Sequence, residues 1–274
     1  MSNIPNIKLN DGQSIPQIGL GLWKIEDSQA ESIIALALDA GYRSFDGAAI
    51  YRNEMGLGKA IQNSSLTREK LHITTKLWND DQSEPRKAFD RSMDKLKLKY
   101  LDLYLIHWPV PRKESYVQAW KTLIELKQEG LIKSIGVSNF QVEHLKRIMD
   151  ATGVTPVINQ IELHPQFQQK ELRDFHVQHQ IQTESWSPLG QGQILENSVI
   201  QVIAKKHMKT SAQVILRWHL QNQFVVIPKS ANPLRIRENI NVFDFNLDLD
   251  DLSKINDLDS ATGRIGPNPM TADF

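Results

Sequence analysis

Two stretches, Leu71-His-Ile-Thr-Thr-Lys-Leu-Trp78 and Leu101-Asp-Leu-Tyr-Leu-Ile-His-Trp108, decide the fold. Each is a short apolar and β-branched run of strand length, and the residues between them, Glu84 to Leu96, carry a helical pattern. The same alternation extends in both directions. Upstream, Arg43 to Gly47 reads as a strand followed by a helix from about Asn53 to Gln62. Before that, Ile18 to Trp23 is a strand and Ser28 caps a helix whose Ile33, Ile34, Ala37 and Leu38 share a face, ended by Gly41. Residues Ile7 to Ile15 form a hairpin turning at Asn10-Asp11-Gly12.

Downstream, the helix Tyr116–Gln128 closes at Gly130, and strand Ile132–Ser138 precedes helix Gln141–Asp150. Strand Val157–Leu163 leads to a helix near Gln169–His179, and strand Ile181–Ser187 to a glycine- and glutamine-rich loop at Gly190-Gln-Gly192. Helices Ser198–His207 and Ser211–Gln221 precede the eighth strand, Phe224–Pro228. Pro233–Asn239 and Asp250–Leu258 supply the last helices. Eight strands alternating with helices, without a linker or low-complexity break, predict an α/β protein. Its expected form is one (β/α)8 TIM barrel domain over 1–274, with an N-terminal β-hairpin and extra C-terminal helices and tail. A doubly wound open sheet is the alternative.

The 274 residues suit a single barrel. Lys plus Arg and Asp plus Glu both number 32, so no global field draws in nucleic acid or an anionic membrane, and anion recognition has to be local. The absence of cysteine excludes disulfides, thiolate metal sites and a cysteine nucleophile, and no metal centre is expected. Met1 to Pro16 shows no basic segment followed by an apolar one, and no apolar run approaches the ~20 residues of a membrane span. The expectation is a cytoplasmic monomer acting on a small molecule.

In a barrel, active-site residues lie at the C-terminal ends of strands. Asp46, Lys76 and His107 end three successive strands, and Tyr51 lies in the loop after the first. Singly, each has a structural reading: a turn cap, a buried histidine, an amphipathic wall. Together they suit reduction of a carbonyl, where charge grows on oxygen as hydride reaches carbon. Tyrosine can deliver the proton, a neighbouring lysine favours the phenolate, and a carboxylate keeps that lysine charged. Histidine can orient the carbonyl with a hydrogen bond.

The chain resembles the aldo-keto reductase family over nearly its whole length. The resemblance rests on Gly41-Tyr-Arg-Ser-Phe-Asp-Gly-Ala-Ala-Ile-Tyr51, Thr74-Thr-Lys-Leu-Trp78, Asp102-Leu-Tyr-Leu-Ile-His-Trp-Pro109, Gly130-Leu-Ile-Lys-Ser-Ile-Gly-Val-Ser-Asn139 and Ile227-Pro-Lys-Ser230. Within the family it is similar to bacterial 2,5-diketo-D-gluconate reductases, which also reduce small dicarbonyls such as methylglyoxal. The resemblance implies an oxidoreductase with Tyr51 as general acid, tuned by Asp46 and Lys76, and His107 orienting the substrate. It also implies an extended NADPH across the barrel mouth. Ser138, Asn139 and Gln160 would hold the carboxamide, Trp186 would stack under the nicotinamide, and Ser187, Leu189 and Gly190 would follow the pyrophosphate. Lys229, Ser230 and Arg235 would grip the 2′-phosphate, a pairing that also suits phosphate chemically, with Glu238 and Asn239 beside the adenine. Gly19-Leu-Gly21 lacks the third glycine of a dinucleotide fingerprint and reads as barrel strand.

Gly47 replaces the threonine common after the catalytic aspartate, which predicts a looser local backbone. Trp186 stands where many relatives have tyrosine or phenylalanine and still offers a stacking face. Trp23, Trp78 and Trp108 are candidate substrate walls, and the tail 263–274 reads as a mobile loop able to fold over the mouth. Two other functions share the scaffold: a cofactor-binding regulatory subunit, and a lyase using Lys76 or Lys229 as a Schiff-base nucleophile.

Overall fold

A computed structural model describes residues 4–274, so the first three residues of the Met1–Pro16 stretch lie outside it. Strands β1 (Asn6–Lys8) and β2 (Ser14–Pro16) form an antiparallel hairpin in which Ile7 faces Ile15. Eight parallel strands follow: β3 (Leu20–Gly21), β4 (Ser44–Asp46), β5 (His72–Leu77), β6 (Leu101–Ile106), β7 (Ile132–Ser138), β8 (Ile158–Glu162), β9 (Gln182–Trp186) and β10 (Val225–Val226). Each pairs with the next in sequence order. The ends also meet: Gly19 N donates to Val226 O at 2.8 Å, and Val226 N donates to Gln17 O at 3.0 Å. The sheet is therefore a closed barrel, not an open doubly wound sheet.

Ten helices surround it among the described residues: α1 (Asp27–Ala40), α2 (Glu54–Gln62), α3 (Pro85–Leu96), α4 (Tyr116–Gln128), α5 (Val142–Thr152), α6 (Lys170–Gln178), α7 (Ser198–His207), α8 (Ser211–Gln221), α9 (Pro233–Ile240) and α10 (Leu249–Asn256). Three local expectations change. Ser28 is not the cap of α1; Glu26 holds that position, and the Asp27 carboxylate instead accepts Gly56 N from α2 at 2.8 Å. The first and last barrel strands are shorter than their apolar runs, because the ladder is regular only at Leu20–Gly21 and Val225–Val226. The Gly190–Gly192 loop extends into a 3-10 segment, Gly190–Glu196.

Strand pleat sorts the side chains into two sets. In β5, Ile73 and Leu77 join the apolar layer shared with the helices, while Lys76 turns to the barrel axis beside Asp46. In β6, Leu103 and Leu105 belong to a separate inner cluster with Ile158, Val225 and the hairpin residues Leu9 and Ile15. The hairpin thus plugs the N-terminal end of the barrel with apolar side chains. Polar residues occupy the axis toward the other end.

Candidate active site

At the C-terminal end, strand register brings the axial residues into one layer: Asp46 pairs across from Thr74, Lys76 from Leu105, Ser138 from Gln160, and Gln160 from Glu184. Lys76 Nζ lies 2.5 Å from Asp46 Oδ1 and 2.8 Å from Gly47 O, with both charged groups buried. Gln160 Nε2 donates to Asp46 Oδ2 at 2.9 Å and to Glu184 Oε2 at 3.0 Å. Burial works against the Lys76 ammonium, but Asp46, with Tyr51 and Glu184 adding to it, outweighs burial and holds the Lys76 pKa above its ordinary value. A lysine held protonated in this way is a poor Schiff-base nucleophile, which argues against that chemistry at Lys76.

Tyr51 ends a 3-10 turn, Ala49–Tyr51. Its ring centroid is 5.1 Å from Lys76 Nζ and 5.7 Å from the His107 ring. The turn is fixed through Asn53, whose buried amide donates to Leu22 O at 2.9 Å and Ile25 O at 2.8 Å, tying it to the loop after β3. The expected lowering by Lys76 is present at the phenol, but burial outweighs it. Burial raises the Tyr51 pKa, the Lys76 cation lowers it, Asp46 raises it again, and the net result lies above the ordinary tyrosine value. The phenol therefore holds its proton at neutral pH. Burial, with Lys76 adding to it, pushes His107 well below the usual imidazole range, so it is neutral. A neutral imidazole can still donate one hydrogen bond.

The expected loosening at Gly47 is not seen. Its N–H donates to Thr74 O at 2.9 Å while its carbonyl accepts Lys76, so the residue is held from both sides.

Asp46, Tyr51, His107, Trp23, Trp78, Trp108, Ser138, Asn139, Gln160, Trp186, Ser187 and Lys229 line one cavity of about 480 Å³. A second, of about 790 Å³, is lined by Ser187, Leu189, Lys229, Ser230, Arg235, Glu238 and Asn239. The two share Trp23, Lys24, Ser187, Pro188, Gln191 and Lys229, making one trough from Tyr51 to Arg235. Gly190 lines neither; it turns the chain at φ 55° and packs against Ile194. Within the first cavity, Trp186 Nε1 donates to Asn139 Oδ1 at 2.8 Å, and Asn139 Nδ2 donates to His107 O at 3.0 Å. Ser138 Oγ donates to Gln160 O at 2.9 Å. At the far end, Lys229 and Arg235 are exposed and have no carboxylate partner among the described residues.

The pattern of the aldo/keto reductase family matches residues 17–260. The chain belongs to the aldo/keto reductase family. It is 56% identical over 271 residues to the methylglyoxal reductase DkgA of Escherichia coli (strain K12), covering 98% of each chain. Among solved structures, an aldo/keto reductase from Brucella melitensis superposes with TM-score 0.92 at 53% identity, covering 94% of this chain and 99% of that one. A mutant of Gox0644 in complex with NADPH superposes with TM-score 0.96 at 50% identity over 100% of both chains.

For this aldo/keto reductase, sequence reasoning missed several residues at the mouth. Lys24 and Gln191 line both halves of the trough and Ile50 lines the first cavity, which Gly266, Pro267 and Phe274 join from the tail expected to fold over the mouth. Glu184 was also missed, although a carboxylate within the barrel strand Ile181–Ser187 is itself a signal of a buried polar network. Burial, with the Asp46 charge adding to it, pushes the Glu184 carboxyl up to about 8. The tail 263–274 is docked. Phe274 stacks on Trp78 at 6.0 Å and meets Trp108 edge-on at 5.1 Å, and Asn79 donates to its carbonyl at 2.9 Å.

Proposed function

We propose that this chain reduces aldehydes and ketones to alcohols with NADPH, and that its substrates are small dicarbonyls such as methylglyoxal or diketo sugar acids. One observation carries the reading: Asp46, Tyr51 and His107 line one cavity, and Lys76 is buried behind them, bonded to Asp46 at 2.5 Å and 5.1 Å from the Tyr51 ring. NADPH, when bound, supplies the hydride.

The chain's residues do the rest. His107, neutral, donates a hydrogen bond to the carbonyl oxygen and fixes its direction. Tyr51 gives its proton to that oxygen as negative charge develops there. The Lys76 ammonium stabilises the phenolate left behind, and Asp46 keeps Lys76 charged and in place. Trp78, Trp108 and Trp23 wall the substrate; Trp23, at 42% exposed, stands at the rim. The joined cavities offer a dinucleotide phosphate polar side chains and, at the far end, two exposed cations. Ser138, Asn139 and Gln160 would hold the carboxamide, Trp186 would offer a stacking face to the nicotinamide, and Ser187 and Leu189 would meet the pyrophosphate. Lys229, Ser230 and Arg235 would receive the 2′-phosphate, for which two cations without a carboxylate partner among the described residues are well suited, and Glu238 and Asn239 would meet the adenine. The chain acts as one domain, as a cytoplasmic monomer.

The test is NADPH consumption, followed by absorbance, with methylglyoxal, a diketo sugar acid, an aromatic aldehyde and no substrate, repeated with NADH. Turnover that depends on a dicarbonyl and favours NADPH is the expected result. Tight NADPH binding without turnover on any carbonyl would instead favour a cofactor-binding regulatory subunit.

A further inference from the structure

Glu162 ends β8 with its side chain 1% exposed, and the reduction chemistry does not use it. Its two carboxylate oxygens accept successive backbone N–H groups of the tail, Oε1 from Ile265 at 2.6 Å and Oε2 from Gly266 at 2.9 Å. His164 Nε2 lies 3.2 Å from Oε1. Burial alone would raise this carboxyl, but the His164 bond and the two backbone N–H bonds hold it below its ordinary value. A carboxylate bridging two adjacent N–H groups fixes the direction of the peptide between them as well as its position.

The consequence lies on the other face of that peptide. A Cβ on Gly266 would stand 2.6 Å from Trp186 Cη2 and 3.0 Å from Glu162 Oε2. The tail therefore threads between the carboxylate and the indole, and only glycine fits there. From Gly266 it continues along the cavity, where Gly266, Pro267 and Phe274 form part of the lining. Its other anchors are weaker or wetter. The Arg112–Asp273 ion pair is exposed on both sides, and the Phe274 contacts are aromatic stacking plus one hydrogen bond from Asn79.

We propose that Glu162 is a positioning residue that latches the tail against Trp186 and so completes the dicarbonyl pocket. The proposal rests on the reductase reading for its substrate, while the latch itself can be tested without turnover. The peptide bond after Arg264 is the one whose N–H is bonded to Glu162 Oε1, so trypsin cleavage there reports latch opening directly.

Two variants separate the latch from general damage. Glu162→Gln keeps the shape but replaces one acceptor oxygen with a donor facing an N–H. Gly266→Ala leaves the carboxylate intact and wedges a methyl group against Trp186. In both, trypsin is expected to cut after Arg264 roughly tenfold faster, the loss of one charge-assisted bond. In Glu162→Gln, KM for methylglyoxal is expected to rise by a similar factor, with kcat and NADPH affinity within about twofold of the parent; Gly266→Ala is read by proteolysis alone. Glu162→Asp, which keeps both acceptors, should recover most of the protease resistance. Unchanged cleavage after Arg264 in Glu162→Gln would overturn the latch, as would a fall in kcat at unchanged KM. If the parent protein turned over no carbonyl while both variants still opened at Arg264, the latch would stand and the substrate reading would fail.

Discussion

Both ends of this barrel hold a buried aspartate paired to a cation, yet the two sites are built to opposite ends. At the N-terminal end, Asp102 accepts Arg68 at 2.6 Å, Lys133 at 3.0 Å and Ile73 N at 2.9 Å, so its lone pairs are met by three donors from separate elements. At the C-terminal end, Asp46 accepts Lys76 and Gln160, but a second carboxyl, a neutral imidazole and a protonated phenol crowd the same few ångströms. The first arrangement is saturated and faces a polar surface hollow. The second keeps the Tyr51 and His107 side chains on the wall of a cavity. Comparable ion pairs thus sit among saturating donors at one end and beside a cavity-lining phenol and imidazole at the other, and the difference lies in what surrounds the carboxylate.

The sharpest way to break that contrast is Tyr51→Phe. On the proposed chemistry it removes the only proton donor without changing the ring's packing. Turnover should fall by about 10²–10⁴, while NADPH affinity, read by fluorescence quenching, stays within about twofold. Unchanged kcat would mean that the proton comes from elsewhere. Asp102→Asn tests the other end. Its lost charge-assisted bonds should cost about 2 kcal/mol in urea unfolding, discounted because Lys133 is partly exposed, with kcat unaltered. A loss of activity at unchanged stability would show that the two ends are coupled. Arg235→Ala addresses the far end of the trough. NADPH should bind roughly tenfold more weakly and NADH little differently, and equal losses for both would place the 2′-phosphate elsewhere.

Much of this contrast could be read before the structure. Lys76, His107 and Asp46 were legible because a barrel gives each strand end the same address, and strand ends follow from local apolar runs. What escaped were contacts between residues distant along the chain. Glu162 binds Gly266, 104 positions later, and Asn79 binds Phe274, 195 positions later; no local period encodes either. Ser28 was misjudged because several polar residues precede α1, and packing against α2 recruits Asp27 for Gly56. The Lys76 influence on Tyr51 was legible in the motif, while the burial that outweighs it is a property of the whole mouth.

The smallest expected effect concerns Glu184, which has no counterpart at the N-terminal end: a second carboxyl sharing Gln160 with Asp46. Its carboxyl is pushed up to about 8 by burial, with Asp46 adding to it, so the folded barrel retains a proton that the unfolded chain releases near the ordinary carboxylate value. Between those two values the native state binds more protons than the unfolded state, so wild-type stability should fall as pH rises and level off above about 8. Glu184→Gln keeps the hydrogen-bonding shape and removes the titration. Its unfolding free energy should lack that decline, so that it gains on the parent progressively as pH rises from about 5 to about 8. Parallel stability curves for the two proteins would show that the carboxyl is already ionised in the fold, and Gln160 would then be holding two charges together rather than one charge and one acid.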